Sequence, residues 1–356
     1  MDFFAVLLRR FGSRSLATAL FFVAILLYFA YNWNRPSSWS SPAMKGDTKP
    51  WPVPEQSAAA SHAESLSSLR PTQVDQTPDE TPTPSPAMSP EANSATLDRP
   101  FCPLIKVSML YGSHKFSQLE KALESHRRHC ERWKCDFISL GQDLTNRRLY
   151  SKQYFLMSAL LNEMAKPAEE RKQWLMWVDA DAILINPSIS PCAFLPPDNL
   201  QNVYALMTAD HQGLNAGIFY LRVHSDSLDL LTQTVDYPMV HPDDDLGWFG
   251  EQAAMERVIH SIEAQSKTKG TTSGIAWVPR LWFNAYEFEH GFEGQPGHTI
   301  VHFAGLAETR LAHMTNWLTE LENNQAKWEI PLEKTFYADD ITKFWDEYAA
   351  NMTEVR

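Results

Sequence analysis

From residue 101 onward, apolar positions fall into short continuous runs separated by stretches with helical spacing. "LIKVSMLYG" (104–112) is an apolar β-type run closed by Gly112, and residues 117–130 carry a helical pattern. "CDFISLG" (135–141) reads as a second strand, 152–165 as a second helix, and "WLMWV" (174–178) as a third strand. Strand, helix, strand, helix, strand is the order of a parallel sheet with crossover helices. Continuous rather than alternating apolar strands belong to a sheet covered on both faces. Further strands are predicted at 203–208, 216–223, 275–279 and 299–305, with helix from Leu311 onward. The predicted fold is α/β: a Rossmann-like, mostly parallel sheet flanked by helices, occupying residues 99–356.

The N-terminal third has a different texture. Residues 15–33, "SLATALFFVAILLYFAYNW", carry no charge, and a helix of that length spans about 28 Å, enough to cross a thin bilayer. Tyr28, Tyr31 and Trp33 sit where an interfacial aromatic belt forms, and Arg9, Arg10 and Arg14 precede the run. That bias predicts a cytoplasmic tail (1–14), a signal anchor (15–33) and the bulk of the chain in a lumen. The rival is a cleaved signal peptide, against which stand the length of the run and Tyr28 and Phe29 before Ala30, where a small-x-small site would be needed. Residues 34–98 are dominated by Ser, Pro, Ala and Thr and predict a disordered stem.

Composition narrows the function. A net charge of -12, with no basic cluster after residue 60, argues against a nucleic-acid partner. The four cysteines, Cys102, Cys130, Cys135 and Cys192, allow two disulfides in three connectivities, and an oxidising lumen favours pairing over a metal cluster. Asn351-Met352-Thr353 is an N-glycosylation sequon near the C-terminus.

The chemistry concentrates in "QWLMWVDADAILINP" (173–187), where two carboxylates, Asp179 and Asp181, interrupt a core strand. Carboxylates are rarely buried unless paired or bound to metal. At the carboxyl end of a central parallel strand they lie on the ligand-binding edge of an open α/β sheet. They converge only if the chain leaves strand geometry at Ala180. Two hard oxygen ligands then suit Mn²⁺ or Mg²⁺ and the phosphates such an ion brings. The bland alternative is that one Asp caps a helix and the other pairs with an Arg.

In the order "WLMWVDADAILINP", "HQGLNAGIFYLR", "EQAAMERVI" and "VHFAG", the sequence resembles glycosyltransferase family 34 over about residues 104–310. That family comprises retaining GT-A-fold enzymes, among them Golgi α-galactosyl-, α-mannosyl- and xylosyltransferases. The resemblance implies a nucleotide-sugar donor, of the GDP-mannose or UDP-galactose type, and a glycan acceptor. It makes Asp179, Asp181 and His302 the metal ligands. It places Tyr111, Lys152, Asp179, Asn215, Gly217 and Gly305 at the donor, and Glu251 and Gln252 at the reacting carbon. It also implies a single-pass type II protein of the Golgi membrane, with oligomerisation with itself or with other Golgi transferases as a further expectation. The chain departs from the family pattern at Leu306, where Cys is usual, and at Ala307, a region in which some members carry Lys; Arg310 is the nearby cation.

Each residue has a plainer reading beside this one. His302 could be a core histidine satisfied by backbone, Glu251 a helix-dipole partner, and "HPDDDLGWFG" (241–250) a solvated acidic loop rather than the wall of an acceptor groove. Trp248 and Trp282 are candidates for stacking on acceptor sugars, or core residues. Two rival functions stand beside the transferase. Haloacid-dehalogenase-type phosphatases also end an apolar strand with D-x-D, using the first Asp as nucleophile, but they carry the motif at the start of the domain and want Thr or Val where this chain has Ile183. The other rival is a non-catalytic, membrane-anchored relative of the transferases.

Overall fold

The computed structural model describes residues 102–145 and 150–354. The expected tail, anchor and stem lie outside these residues, and no helix among those described is long and apolar enough to cross a membrane.

The first half follows the sequence pattern closely. β1 (Leu104–Met109) leads to helix α1 (Ser117–Trp133), β2 (Asp136–Leu140), α2 (Ser151–Met164) and β3 (Trp174–Val178). β1 pairs in parallel with both β2 and β3, and every residue of β3 is buried. α1 ends on Lys134 in the left-handed conformation, and Cys130 and Cys135 are bridged across that tight exit into β2. A second bridge, Cys102 to Cys192, ties the start of β1 to the loop after β4 (Ala182–Leu184). Among the described residues no cysteine is free.

Beyond β3 the sheet turns mixed rather than staying mostly parallel. β5 (Ala205–Asp210) and β6 (Gly213–Arg222) form an antiparallel hairpin, and β6 pairs antiparallel with β3. β7 (Ile275–Trp277) adds in parallel at the far edge, giving the order β2-β1-β3-β6-β5-β7. A buried strand has the same composition in either direction, so its orientation is not legible in sequence, whereas the tight connection at 211–212 leaves β6 only the antiparallel option. Helices α3 (Ser225–Val240), which shows no clear period in the sequence, and α4 (Gly250–Lys269) follow.

A second, four-stranded sheet, not foreseen, runs β4-β10-β8-β9, with β8 at Ala285–Phe288, β9 at Gly291–Phe292 and β10 at Ile300–His302. These strands of two to four residues are too short to show a period. Their consequence is large: β10 runs antiparallel to β4, setting His302 opposite Ala182, one residue after Asp181. Helices α5 (Arg310–Trp328) and α6 (Tyr337–Glu354) close the chain. Phe194, Trp282, Phe283 and Tyr337 form one aromatic cluster of the core.

β4 is braced from below by an ionisable group that no water reaches. Lys106, in the middle of β1, is fully buried, with its ammonium nitrogen 3.1 Å from His126 Nδ1 and 2.7 Å from His129 Nδ1. The opposite nitrogens of those rings meet the carbonyls of Ala182 and Ile189, at 3.1 and 2.8 Å. The imidazoles therefore donate through Nε2 and accept from lysine through Nδ1. Burial pulls the Lys106 pKa down to about 7, and burial, followed by the nearby lysine charge, pushes both histidines well below their ordinary value.

Candidate active site

β3 delivers Asp179 at its carboxyl end, and the chain then turns at once: Ala182 N–H donates to Asp179 O at 3.2 Å. This departure from strand geometry at Ala180 and Asp181 lets two acids one residue apart converge. On the other side, Phe303 N–H donates to Asp181 O at 3.0 Å, which extends the β4–β10 ladder and pulls His302 in. One ligand atom from each of Asp179, Asp181 and His302 lies within 4.8 Å of the others. His302 is buried, while the two acids are partly exposed.

Each acid is also compensated by protein. Asp179 Oδ1 accepts from the Trp177 indole N–H at 2.7 Å and lies 3.3 Å from Lys152 Nζ. That ammonium is buried, donates to Ala216 O at 2.9 Å, and sits 5.1 Å from the Trp177 ring centre. Lys152 thus reaches the site from the first turn of α2, engaged beneath Asp179. Asp181 Oδ1 is 3.5 Å from His302 Nε2, and Asp181 Oδ2 is 3.2 Å from an Arg310 amino nitrogen. Burial works to raise the Asp181 carboxyl, but His302, when Nε2 carries a proton, and the Arg310 guanidinium outweigh it, leaving the group below the usual carboxylate range. The bland reading of the motif is therefore present in part, since one Asp does pair with an Arg. It coexists with three acceptor-bearing groups converging on one point, an arrangement that could hold a metal ion.

β6 forms the floor. Gly217 O accepts from Asp179 N–H at 2.8 Å. A Cβ on Gly217 would lie 2.3 Å from His302 Cε1, so the close approach this glycine permits is to the imidazole ring. The N–H groups of Leu214 and Ala216 point at α4, where Glu256 Oε1 and Gln252 Oε1 accept from them, each at 2.9 Å. These two residues, one helical turn apart, dock the N-terminus of α4 onto the site. Glu251 sits in that first turn, and its Oε2 is buried with no hydrogen-bond partner.

Asn215 is buried, and its Oδ1 accepts from Gly217 N–H at 3.0 Å and from Asn284 Nδ2 at 2.9 Å. Asn284 was not singled out in sequence, yet it is fully buried and contacts His302 Nδ1 at 2.7 Å. The available signal was a lone amide in "LWFNAYEF" (281–288), the same anomaly of a polar residue in an apolar run that marks Asp179. Tyr111 follows β1 at the same sheet edge as Asp179 and is half-buried. Gly305 adopts a left-handed φ of 77° in the loop between β10 and α5, a conformation that favours glycine. Trp282 is fully buried in the core and is not a stacking platform, whereas Trp248 is 73% exposed. Asn351 is exposed near the end of α6.

No family description and no curated protein matches the sequence. Among solved structures, a glycosyltransferase involved in the glycosylation of the major capsid of PBCV-1 is similar at 12% identity, covering 60% of this chain and 98% of that one with a TM-score of 0.45. A likeness of that extent assigns no chemistry, which has to come from the residues themselves.

Proposed function

We propose that this protein is a metal-dependent, retaining glycosyltransferase of the GT-A type, moving a hexose from a GDP-mannose- or UDP-galactose-like donor to a glycan acceptor. The observation that carries the reading is the convergence of Asp179, Asp181 and His302 at the carboxyl edge of β3, their ligand atoms within 4.8 Å. Two carboxylates and an imidazole suit Mn²⁺, and Mg²⁺ less well because of the nitrogen ligand. The electrostatics agree. Lys152 and Arg310 cancel the charges of the two acids, so a bound dication leaves the site positive and ready for an anion such as a nucleoside diphosphate.

When bound, the ion supplies Lewis-acid stabilisation to the departing diphosphate, in place of a protein acid. The chain's own residues do the rest. Lys152 and Trp177 hold Asp179 in place. Arg310, half-exposed beside Asp181, is the cation this reading assigns to a ligand's phosphates. Gln252 fixes the N-terminus of α4 against β6, and Glu251 brings an unpartnered carboxylate oxygen to that end of the helix. That oxygen is the candidate to face the anomeric carbon, either as nucleophile or as a charge that steadies front-face attack.

The acceptor side is read from the segment before α4. Met239, Val240, Trp248 and Phe249 are 59 to 75% exposed, and Asp243, Asp244 and Asp245 lie between them in sequence, all exposed. Aromatic faces interleaved with carboxylate acceptors suit a neutral sugar chain. Two disulfides agree with an oxidising lumen. With residues 15–33 as an anchor and 34–98 as a stem, the reading places residues 99–356 in the Golgi lumen and leaves Asn351 open to glycosylation.

The test is a panel of nucleotide-sugars incubated with the protein and Mn²⁺, scored for slow donor hydrolysis. Hydrolysis of one donor, abolished by EDTA and restored by Mn²⁺, is expected. Metal-dependent hydrolysis of a simple aryl phosphate with indifference to nucleoside would point to the phosphatase chemistry instead, and no turnover of any donor would leave a non-catalytic relative.

A further inference from the structure

A chain of hydrogen bonds fixes which nitrogen of His302 carries the proton. It starts at a group whose identity is not in question, the backbone N–H of Gly217. That N–H donates to the Asn215 side chain at 3.0 Å, so the atom there is the amide oxygen. The same oxygen meets the Asn284 side chain at 2.9 Å, and two oxygens cannot bond, so the Asn284 atom is its NH₂. The other hydrogen of that NH₂ goes to Thr208 Oγ1 at 2.8 Å. Asn284 must therefore turn its oxygen to His302 Nδ1, 2.7 Å away, and that nitrogen must be the donor.

We propose that Asn215 and Asn284 are positioning residues that hold His302 as the Nδ1–H tautomer, so that its Nε2 lone pair points at Asp181 as a metal ligand. Nε2 stands 3.5 Å from Asp181 Oδ1. In the neutral ring, with its one proton on Nδ1, these are two acceptors facing each other, a pairing that calls for a cation between them, whether a proton on Nε2 or a metal ion. The opposite tautomer would make Nε2–H a donor to Asp181 and close the site to metal. A second hydrogen-bonded partner commonly sets the tautomer of a metal-binding histidine; here it is an amide relay anchored on a main-chain N–H. All the relay residues except Gly217 are buried polar side chains in an otherwise apolar interior, where an unsatisfied amide is costly. The inference deepens the metal-site reading above and rests on it for its purpose, but the tautomer can be read without any metal.

The experiment uses the full-length protein labelled with ¹⁵N-histidine, His302 being assigned by its loss in His302→Gln. In the metal-free wild type, at a pH where the ring is neutral, Nδ1 of His302 should give the protonated and Nε2 the unprotonated ¹⁵N signature. Asn215→Asp keeps the accepting oxygen and should keep the tautomer. Asn284→Leu should lose the single tautomer and weaken Mn²⁺ binding, followed by electron paramagnetic resonance, by about 10–100-fold. Should Asn284→Leu not fold, Asn215→Leu cuts the relay one step earlier and is expected to do the same to a smaller degree. A neutral ring protonated on Nε2 rather than Nδ1 in the metal-free wild type overturns the proposal, as does a relay-cut variant that folds and keeps both tautomer and Mn²⁺ affinity. A wild type with the stated tautomer but no Mn²⁺ binding would instead sink the metal-site reading.

Discussion

Gly217→Ala is the sharpest probe of how the site is packed. The added methyl carbon would lie 2.3 Å from His302 Cε1, 3.0 Å from His302 Nε2 and 3.0 Å from Asn215 Oδ1. Carbon atoms pack at about 3.5 Å or more, so the ring has to retreat by roughly 1 Å. It has nowhere easy to go, with Asn284 bonded to its Nδ1 and Asp181 facing its Nε2. Overpacking of this kind costs about 1–3 kcal/mol. Gly217 does not have a left-handed φ, so alanine meets no backbone penalty, and replacing a strand glycine recovers about 0.5–1 kcal/mol. A net loss of up to about 2.5 kcal/mol follows, centred on about 1 kcal/mol. Because the shortest contact is to the imidazole, with only the 3.0 Å approach to Asn215 Oδ1 outside it, Gly217→Ala should lose most of its cost in a His302→Ala background, a coupling of about 1 kcal/mol or more where independent sites add to within about 0.5 kcal/mol. Urea denaturation of the wild type, both single variants and the double variant measures it. Strict additivity would show that the imidazole does not rest on β6, and with that the geometry of the site would fall.

Asp181→Ala should abolish Mn²⁺ binding and metal-dependent donor hydrolysis while leaving the circular dichroism spectrum intact, since its partner Arg310 is partly exposed and can be hydrated; retained turnover would refute the assignment. The Lys106 cluster sets an acid limit. His126 and His129 are held neutral in the folded state but titrate near 6.5 when unfolded, so the unfolded chain binds more protons and stability should be lost as pH falls below about 6.5. Lys106, lowered to about 7, acts in the same sense, with stability rising from about pH 7 toward 10; a urea midpoint flat from pH 5 to 9 would contradict both. Trp248→Ala should change stability by less than about 0.5 kcal/mol and raise the acceptor KM without altering donor hydrolysis. Trp282→Ala, which empties a core position, should cost about 3–5 kcal/mol; equal effects at the two tryptophans would refute this division.

What the sequence disclosed and what it withheld have a common physical origin. β1 through β3 and their helices were legible because each buries a continuous apolar run or a helical face long enough to show its period. α3 was missed because Thr232, Thr234, Val235 and Pro238 dilute its helical signal. Asp179, Asp181 and His302 stood out as polar groups against apolar neighbours, and the fold brings them together. The partner of His302 was harder to find, because a buried amide announces only that it is satisfied and not by whom. The reversed direction of β6 and the small sheet that carries β10 depend on turns and pairings between distant segments, which local periodicity does not encode.

The pairing of β4 with β10 also sets the order in which the three-residue cluster can assemble during synthesis. Asp179 and Asp181 emerge from the ribosome well before His302, and the three-residue cluster stays incomplete until His302 arrives. A nascent or prematurely ended product lacking β10 therefore lacks the imidazole of the cluster. The cluster forms only once that late strand has been synthesised and has found the early one.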